Sequence, residues 1–481
     1  MITGCLLAIV ASSETGQVKD QDMSQLVPPV STIESSNNPM VPIVSRYSAD
    51  RQEFDRLWVA SYSPNRDAAL REFLEGWKGS IAGLDFDSFG VEARVDWVLL
   101  NHIIDYGIKD IEIEGKRRDE ASELLPFLDI AIEFMEEKRA LVTVKGRESA
   151  TRLAAETQQI KDLRKEKIDV NGAVARRASK LAWQIQRDMK EWFEFSDGYD
   201  PDFSWWVRKP YEEFDAELRK WAAHLQEELG GVKEGDDEAI AGDPIGREAL
   251  LFDLAREMIP YSPEELVEIA DKELAWCQAE LKKAATEMGF DDPMAAMEHV
   301  KTLHRDPGEQ PAMIRDMARE AIAFLEDNDL MTVPELAKTS WQMTMMSPAR
   351  QLIAPFFLGG PTIIVSFPTD TMTHEQKMMS MRGNNEHFSR ATVQHELIPG
   401  HHMQYYMTRR YAAHRQAFGT PFWMEGWALY WEFLLWDLDF PRSPEDRVGM
   451  LFWRSHRAAR IKFSLGYHLG QMTAQECVDL L

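Results

Sequence analysis

Cysteine is scarce: Cys5, Cys277 and Cys477 are the only three in a chain of 481 residues. Their wide spacing rules out a disulfide framework and a paired-cysteine metal knuckle. Each is read as a small buried hydrophobe, not a nucleophile. Basic residues are also in deficit. Lys and Arg number 54 against 80 Asp and Glu, for a net charge of −26 and a pI near 4.9. Such a surface repels phosphate backbones and argues against nucleic acid as a partner. Basic or neutral small substrates are compatible with that field. Long apolar runs are missing too: none reaches the roughly 18 residues of a membrane-spanning helix, so no transmembrane segment is expected. What is present is ordinary for a globular chain, 44% apolar and 28% charged, enough for a sizeable core. The length allows roughly two to four domains, or one large helical protein.

The first residues, MITGCLLAIVASSETGQ, hold a short apolar run without a basic lead. They fit either a weak export signal or a cytoplasmic start, which leaves localisation open between secreted or periplasmic and cytoplasmic. Residues 1–45 are otherwise rich in Ser, Asn and Pro and are expected to be a flexible leader. Helical periodicity begins at Ala49 and continues through 66–79, 87–108 and 115–139. Val91, Val95, Val98, Leu99, His102 and Ile103 form one apolar stripe, with His102 expected as a satisfied core histidine. Phe195–Arg208 breaks the helical pattern with Gly, Pro and aromatics, and a helix is expected again at about 210–230. Lys233–Asp243 is acidic and bears glycine, the best candidate for an internal boundary. Ser262, Pro263 and Glu265 spell a capping box, opening a helix to about Met288. Gly359–Pro368 is β-branched and bounded by Gly and Pro, the clearest strand in the chain.

The chain has 12 histidines, and six of them lie between His374 and His414. Among these, His395-Glu396 is followed by Leu-Ile-Pro-Gly and then His401-His402, with Glu425 downstream in an aromatic run (WMEGWALYWE). Two imidazoles and a later carboxylate form the ligand set of a catalytic zinc site with one open position. A glutamate directly after the first histidine is where the general base for a metal-bound water stands. The spacing is unusual. In an unbroken helix His401 would point about 120° away from His395, and His402 would sit about 10 Å along the axis. Neither could share one ion. Pro399 and Gly400 supply the remedy, a break at Ile398–Gly400. By analogy with the metallopeptidases that the motif resembles, Gly-His spacing favours His401 as ligand; helix phase and the following Gln-Tyr-Tyr favour His402. Ala417–Pro421 is the expected turn that brings Glu425 back to the histidines.

The motifs HELIPGHHMQ, EGWALYWE and GREAL with YSPEEL resemble domain-of-unknown-function family 885, a group of zinc-metallopeptidase-like proteins, over roughly residues 45 to 481. More distantly, the His-Glu and Gly-His elements resemble helical dipeptidyl carboxypeptidases of the gluzincin type, which use two histidines and a glutamate. The resemblance implies a mainly α, large multi-helical, two-lobed metallopeptidase-like fold. It also implies a deep channel, a small edge β-sheet next to the zinc helix, and Zn2+ as cofactor. Relatives of this kind continue further, so truncation at Leu481 is an expectation as well.

On this reading Glu396 is the general base. His395, His401, His402 and Glu425 are the candidate ligands. Glu432, Tyr430 and His468 are candidates to support the ligands or touch substrate, and Arg454, Arg457 or Arg460 to meet a substrate carboxylate. Trp423, Trp427, Trp431 and Trp436 are expected to pack. The expected function is a zinc-dependent peptidase of short peptides, with the strand Thr362–Phe367 offering its edge to substrate. A zinc hydrolase or lyase of other small molecules, or an inactive binding protein, are the alternatives.

Overall fold

The computed structural model describes residues 37–480 except 234, 235, 237, 238 and 352–354. The candidate export signal, Cys5 and most of the leader lie outside the described residues.

Helices α1 (Met40–Leu57), α2 (Pro64–Ala82) and α3 (Val91–Ser122) form the first layer. Met40, Val44, Leu70, Leu74, Leu100 and Ile104 meet in its core. The first helix therefore starts at Met40, inside the stretch expected to be leader. Its N-cap is Pro39, and Asn38 just before it accepts from Met40 N through its side-chain oxygen at 2.9 Å. Met40 and Val44 are fully buried, and their burial outweighs the Pro-rich composition around them. The segments 87–108 and 115–139 are not two helices with a break before Gly115. Helix α3 runs through Gly115, a residue that costs only about 1 kcal/mol in a helix interior, and the break comes at 123–127, before α4 (Leu128–Arg139).

The expected apolar stripe on α3 is also corrected. Val91, Val95 and Val98 are exposed, and the core face carries Ala93, Asp96, Leu100 and Ile104. Asp96 is buried because it accepts from Asn38, His414 and Arg415 at 2.7 Å each. Val95, Leu99, His102 and Ile103 instead line a large cavity. His102 is no core residue; its Nε2 contacts Arg256 O at 2.7 Å on the cavity wall.

Helices α5 (Gly146–Leu163), α6 (Gly172–Ser196) and α7 (Pro201–His224) pack with α4 around an aromatic core of Phe127, Phe134, Trp192, Phe203, Phe214 and Trp221. Phe134 stacks on Trp192 at 4.3 Å. The break expected over Phe195–Arg208 is only four residues long, 197–200. Pro201 opens α7 and Asp200 caps it, so the aromatic run is helical. Asp243, at the end of the expected boundary segment, is tied to Arg117 at 2.5 Å and Arg177 at 2.9 Å.

The rest of the chain builds the surroundings of the histidines. It runs through α8 (Gly246–Arg256), α9 (Pro263–Glu287), α10 (Pro293–Lys301), α11 (Gln310–Asp327) and α12 (Glu335–Ser340). Strand β1 (Gln342–Met345), α13 (Pro348–Gln351), β2 (Thr362–Val365) and α14 (His374–Gly383) follow. Then come α15 (Glu386–Glu396), α16 (His401–Tyr411), α17 (Pro421–Asp437), α18 (Pro444–His468) and α19 (Ala474–Asp479). The capping box at Ser262 forms as expected. The protein is thus mainly helical with a small sheet.

That sheet pairs β1 and β2 in parallel, Gln342 opposite Thr362 and Met345 opposite Val365. Parallel partners need a connection, here through α13. The other side of β2 is taken by Leu358, which exchanges both hydrogen bonds with Ile364 at 2.7 and 3.0 Å. The expectation that β2 offers its edge to a ligand is therefore corrected. Among the described residues β1 is the outer strand, and it is largely exposed.

Helix α15 is the buried element. Every residue from Phe388 to Glu396 is buried. Asn385 caps it, accepting from His387 N and Phe388 N. Val393 and Leu397 pack with Ile314, Ile363 and Val365. Arg390, 0% exposed, pairs with Glu320 at 2.8 Å and Asp446 at 2.9 Å. A charge buried this deeply must be paired, so α11, α15 and α18 are locked in one arrangement.

Candidate metal centre

His395 and Glu396 end α15, and His401 begins α16. Between them Leu397 leaves helical geometry (φ −109°, ψ −99°), the Ile398–Pro399 bond is cis, and Gly400 has ψ −132°. The break expected at Ile398–Gly400 is present. Gly400 is required there: a Cβ would lie 1.7 Å from the His395 carbonyl oxygen. The break swings His401 alongside His395, with ring centroids 4.7 Å apart at 87°.

The expected turn also forms. A 3-10 segment, Ala413–Phe418, leads into α17, whose cap Thr420 accepts from Trp423 N. Helix α17 returns past the histidines and presents two carboxylates. Glu432 Oε1 lies 2.6 Å from His395 Nδ1. That ring nitrogen donates, which leaves Nε2 to face the centre. Glu425 Oε2 lies 3.2 Å from His395 Nε2, and Glu425 Oε1 lies 3.5 Å from His401 Nε2. Glu396 Oε2 stands further off, 3.9 Å from His401 Nε2.

These spacings fit one ion. Tetrahedral bonds of about 2.0–2.2 Å separate the donors by about 3.3–3.6 Å. The Glu425 contacts, one carboxylate oxygen to each imidazole at 3.2 and 3.5 Å, are close to that edge. The donor atoms of His395, Glu396 and His401 also lie within 4.8 Å of one another. Glu425 touches both rings and Glu396 only approaches one, so Glu425 is the better-placed third ligand. The charge balance points the same way. Glu396, Glu425 and Glu432 converge on the site, while Arg457, 2.7 Å from Glu432 Oε1, is the cation that joins them. Burial opposes a charged His395, yet the hydrogen bonds it donates to Glu425 and Glu432 outweigh that and hold the imidazole up at about 9. The same imidazoles hold the Glu425 carboxyl well below the usual carboxylate range. The donors thus favour positive charge at their centre, which a divalent ion would supply.

Glu396 is shaped by burial, which pushes its carboxyl up to about 7 against the pull of His395 and His401. Its neighbour is the loop before β2. A Cβ at Gly359 would lie 2.2 Å from Glu396 Oε2 and 2.7 Å from its Cα. Gly359 therefore lets backbone close over the carboxylate. From sequence this glycine is only a strand boundary, yet a Gly-Gly pair just before a strand is the signal for such an approach.

Of the two adjacent histidines, only His401 joins the cluster. His402 is turned away: its Nε2 donates to Ala337 O at 2.9 Å, and burial lowers its pKa. The expectation of His402 as a candidate ligand is not met by the geometry. Tyr430 is exposed and its ring meets Trp431, outside the cluster. His468 accepts from Ile245 N at 3.4 Å, at the far end of α18. Arg454 pairs with Glu273 and lies over Trp276 and Phe433, Arg460 is exposed, and only Arg457 reaches the site, through Glu432. Trp431 packs in the core and Trp436 against Trp276, but Trp423 is exposed.

Beside the centre lies a cavity of about 1610 Å³ between α1–α3, α6, α16 and α17. None of the four clustered residues lines it, but Gln404, Tyr405 and Met424 do. Tyr405 Oη contacts Met424 Sδ at 2.7 Å, linking the two helices at that wall.

No curated protein matches the sequence significantly. The fold is similar to the solved structure of "a putative lipoprotein of unknown function" from Shewanella oneidensis, with a TM-score of 0.64 at 13% identity, covering 93% of this chain and 86% of that one. It is also similar to a "putative lipoprotein" from Colwellia psychrerythraea, with a TM-score of 0.51 at 15% identity, covering 92% and 84%. At such identity the likeness speaks for the fold alone. Residues 48–481 match the model of the family described as "Bacterial protein of unknown function (DUF885)", so the chain belongs to the DUF885 family.

Proposed function

We propose that this protein is a zinc-dependent hydrolase of short peptides, on a two-lobed metallopeptidase-like scaffold whose substrate channel is the cavity beside α16 and α17. The observation that carries the reading is the spacing of Glu425 from His395 Nε2 and His401 Nε2, 3.2 and 3.5 Å. Those two nitrogens and the Glu425 carboxylate would hold zinc and leave one position open. Bound there, zinc would supply Lewis acidity to the scissile carbonyl and acidify water.

The chain's own residues do the rest. Glu432 fixes the tautomer and orientation of His395 through Nδ1, and Arg457 holds Glu432. Glu396, in a dry site under Gly359, takes a proton from the attacking water and returns it to the leaving amine. The buried wall of α15 keeps bulk water from the proton path. Chelation should abolish cleavage of a mixed peptide library, and added Zn2+ should restore it. Cleavage that survives chelation overturns the metal reading, and stoichiometric zinc without cleavage of any peptide overturns the peptide reading.

A further inference from the structure

The cavity reverses the charge balance of the chain. The whole protein carries −26, yet the cavity wall holds nine Arg and Lys against four Asp and Glu. Several of these cations are anchored from behind. Arg177 pairs with Asp243 at 2.9 Å, Arg415 with Asp96 at 2.7 Å, and Arg66 with Asp55 at 3.0 Å, and none of the three carboxylates lines the cavity. The guanidinium side of each pair is the side presented. Lys180 and Arg409 also line the cavity and have no carboxylate partner among the described residues. Arg409 stands 6.0 Å over the Tyr405 ring.

The wall leads to the metal centre. On α16, His401, Gln404, Tyr405 and Thr408 lie about one and two turns apart and so share one face. His401 belongs to the centre and the other three line the cavity. From His401 to Thr408 that face is about 10 Å long, the span of about three residues of extended chain. The volume of about 1610 Å³ exceeds the roughly 300–1,000 Å³ of a site for one small molecule. Two electrostatic effects compete over what enters. The acidic outer surface favours basic ligands, but charges beyond about 8 Å are screened at physiological ionic strength. The wall cations are in contact with whatever fills the cavity, so they decide.

We infer that this cavity receives an extended acidic peptide, its carboxylates meeting Lys180, Arg409 and the anchored arginines and its apolar side chains meeting Tyr405 and Trp423. The cleavage of that peptide rests on the function proposed above; its binding does not.

The test uses the zinc-loaded full chain with Glu396→Gln and two fluorescent octapeptides, one of Glu and Ala, the other of Lys and Ala. Anisotropy should show the acidic peptide binding at least about tenfold tighter at low salt, with the difference shrinking in 1 M salt. In the Lys180→Glu/Arg409→Glu variant most of that preference should vanish. Both residues are exposed and make no ion pair among the described residues, so the variant should keep its fold. Equal binding, preference for the basic peptide, or a preference untouched by the double reversal would overturn the inference. Acidic peptide bound but never cut by the wild-type protein would uphold it and remove the peptidase reading. Zinc-dependent cutting of basic peptides alone would do the opposite.

Discussion

Glu396 and Glu425 are both glutamates beside histidine, and their surroundings separate their roles. Glu425 is exposed to solvent and touches both imidazoles; Glu396 is buried and packs against the backbone at Gly359. Glu396→Gln should therefore keep the fold and the zinc while turnover falls about 10²–10⁴-fold. Steady-state rates with metal analysis on the same sample check this; near-normal turnover removes Glu396 as the base. Glu432→Ala frees His395 Nδ1 and unpairs Arg457, so zinc affinity should drop about 10–100-fold by competition with a chromogenic chelator. The neighbouring histidines make a sharper comparison. His401→Gln should lose stoichiometric zinc, while His402→Gln should keep it, because His402 Nε2 is spent on the Ala337 carbonyl. Zinc lost equally from both would mean that His402 takes part.

At the level of elements, much of the site was legible in the sequence because its signals are local. Pro399-Gly400 marked the helix break, Gly419 and Pro421 marked the turn, and Gly359–Pro368 read as a strand, which forms over Thr362–Val365. The remainder depended on distant partners. His401 and His402 are separated by Ala337, a residue 65 positions away that offers its carbonyl to one of them. Strand β1 carries no strong strand signal and exists because β2 pairs with it. The α3 stripe was read as core because a cavity-facing surface is as apolar as a core-facing one, and periodicity cannot tell them apart. Gly359 was missed because its contact, Glu396, lies in another element. Gly359→Ala should displace Glu396 without touching a ligand. A shift of about 1 Å costs about 10²-fold in rate, so turnover should fall with zinc content unchanged. Unchanged turnover would free the loop before β2 from any part in placing the base.

The whole molecule depends on a buried network joining three helices: Arg390 and His387 of α15, Glu320 of α11 and Asp446 of α18. Burial alone would raise the Asp446 carboxyl, but His387 and Arg390 outweigh it and hold it below its ordinary value. A depressed carboxylate stabilises the fold fully above its unfolded value of about 3.9, and that contribution is lost as pH falls through the lower folded value. Thermal midpoints should therefore fall steeply below about pH 4. Asp446→Asn should be less stable at neutral pH and flatter below pH 4; an unchanged acid slope would exclude the network from acid stability. The same scaffold holds two histidines and a glutamate around one point, and that is the claim on which the function rests. Anomalous diffraction at the zinc edge, on crystals grown with equimolar Zn2+, tests it most directly. One strong peak is expected about 2.0–2.2 Å from His395 Nε2, His401 Nε2 and a Glu425 oxygen, with Glu396 outside bonding distance. No peak there, or a peak bound by His402, would contradict it.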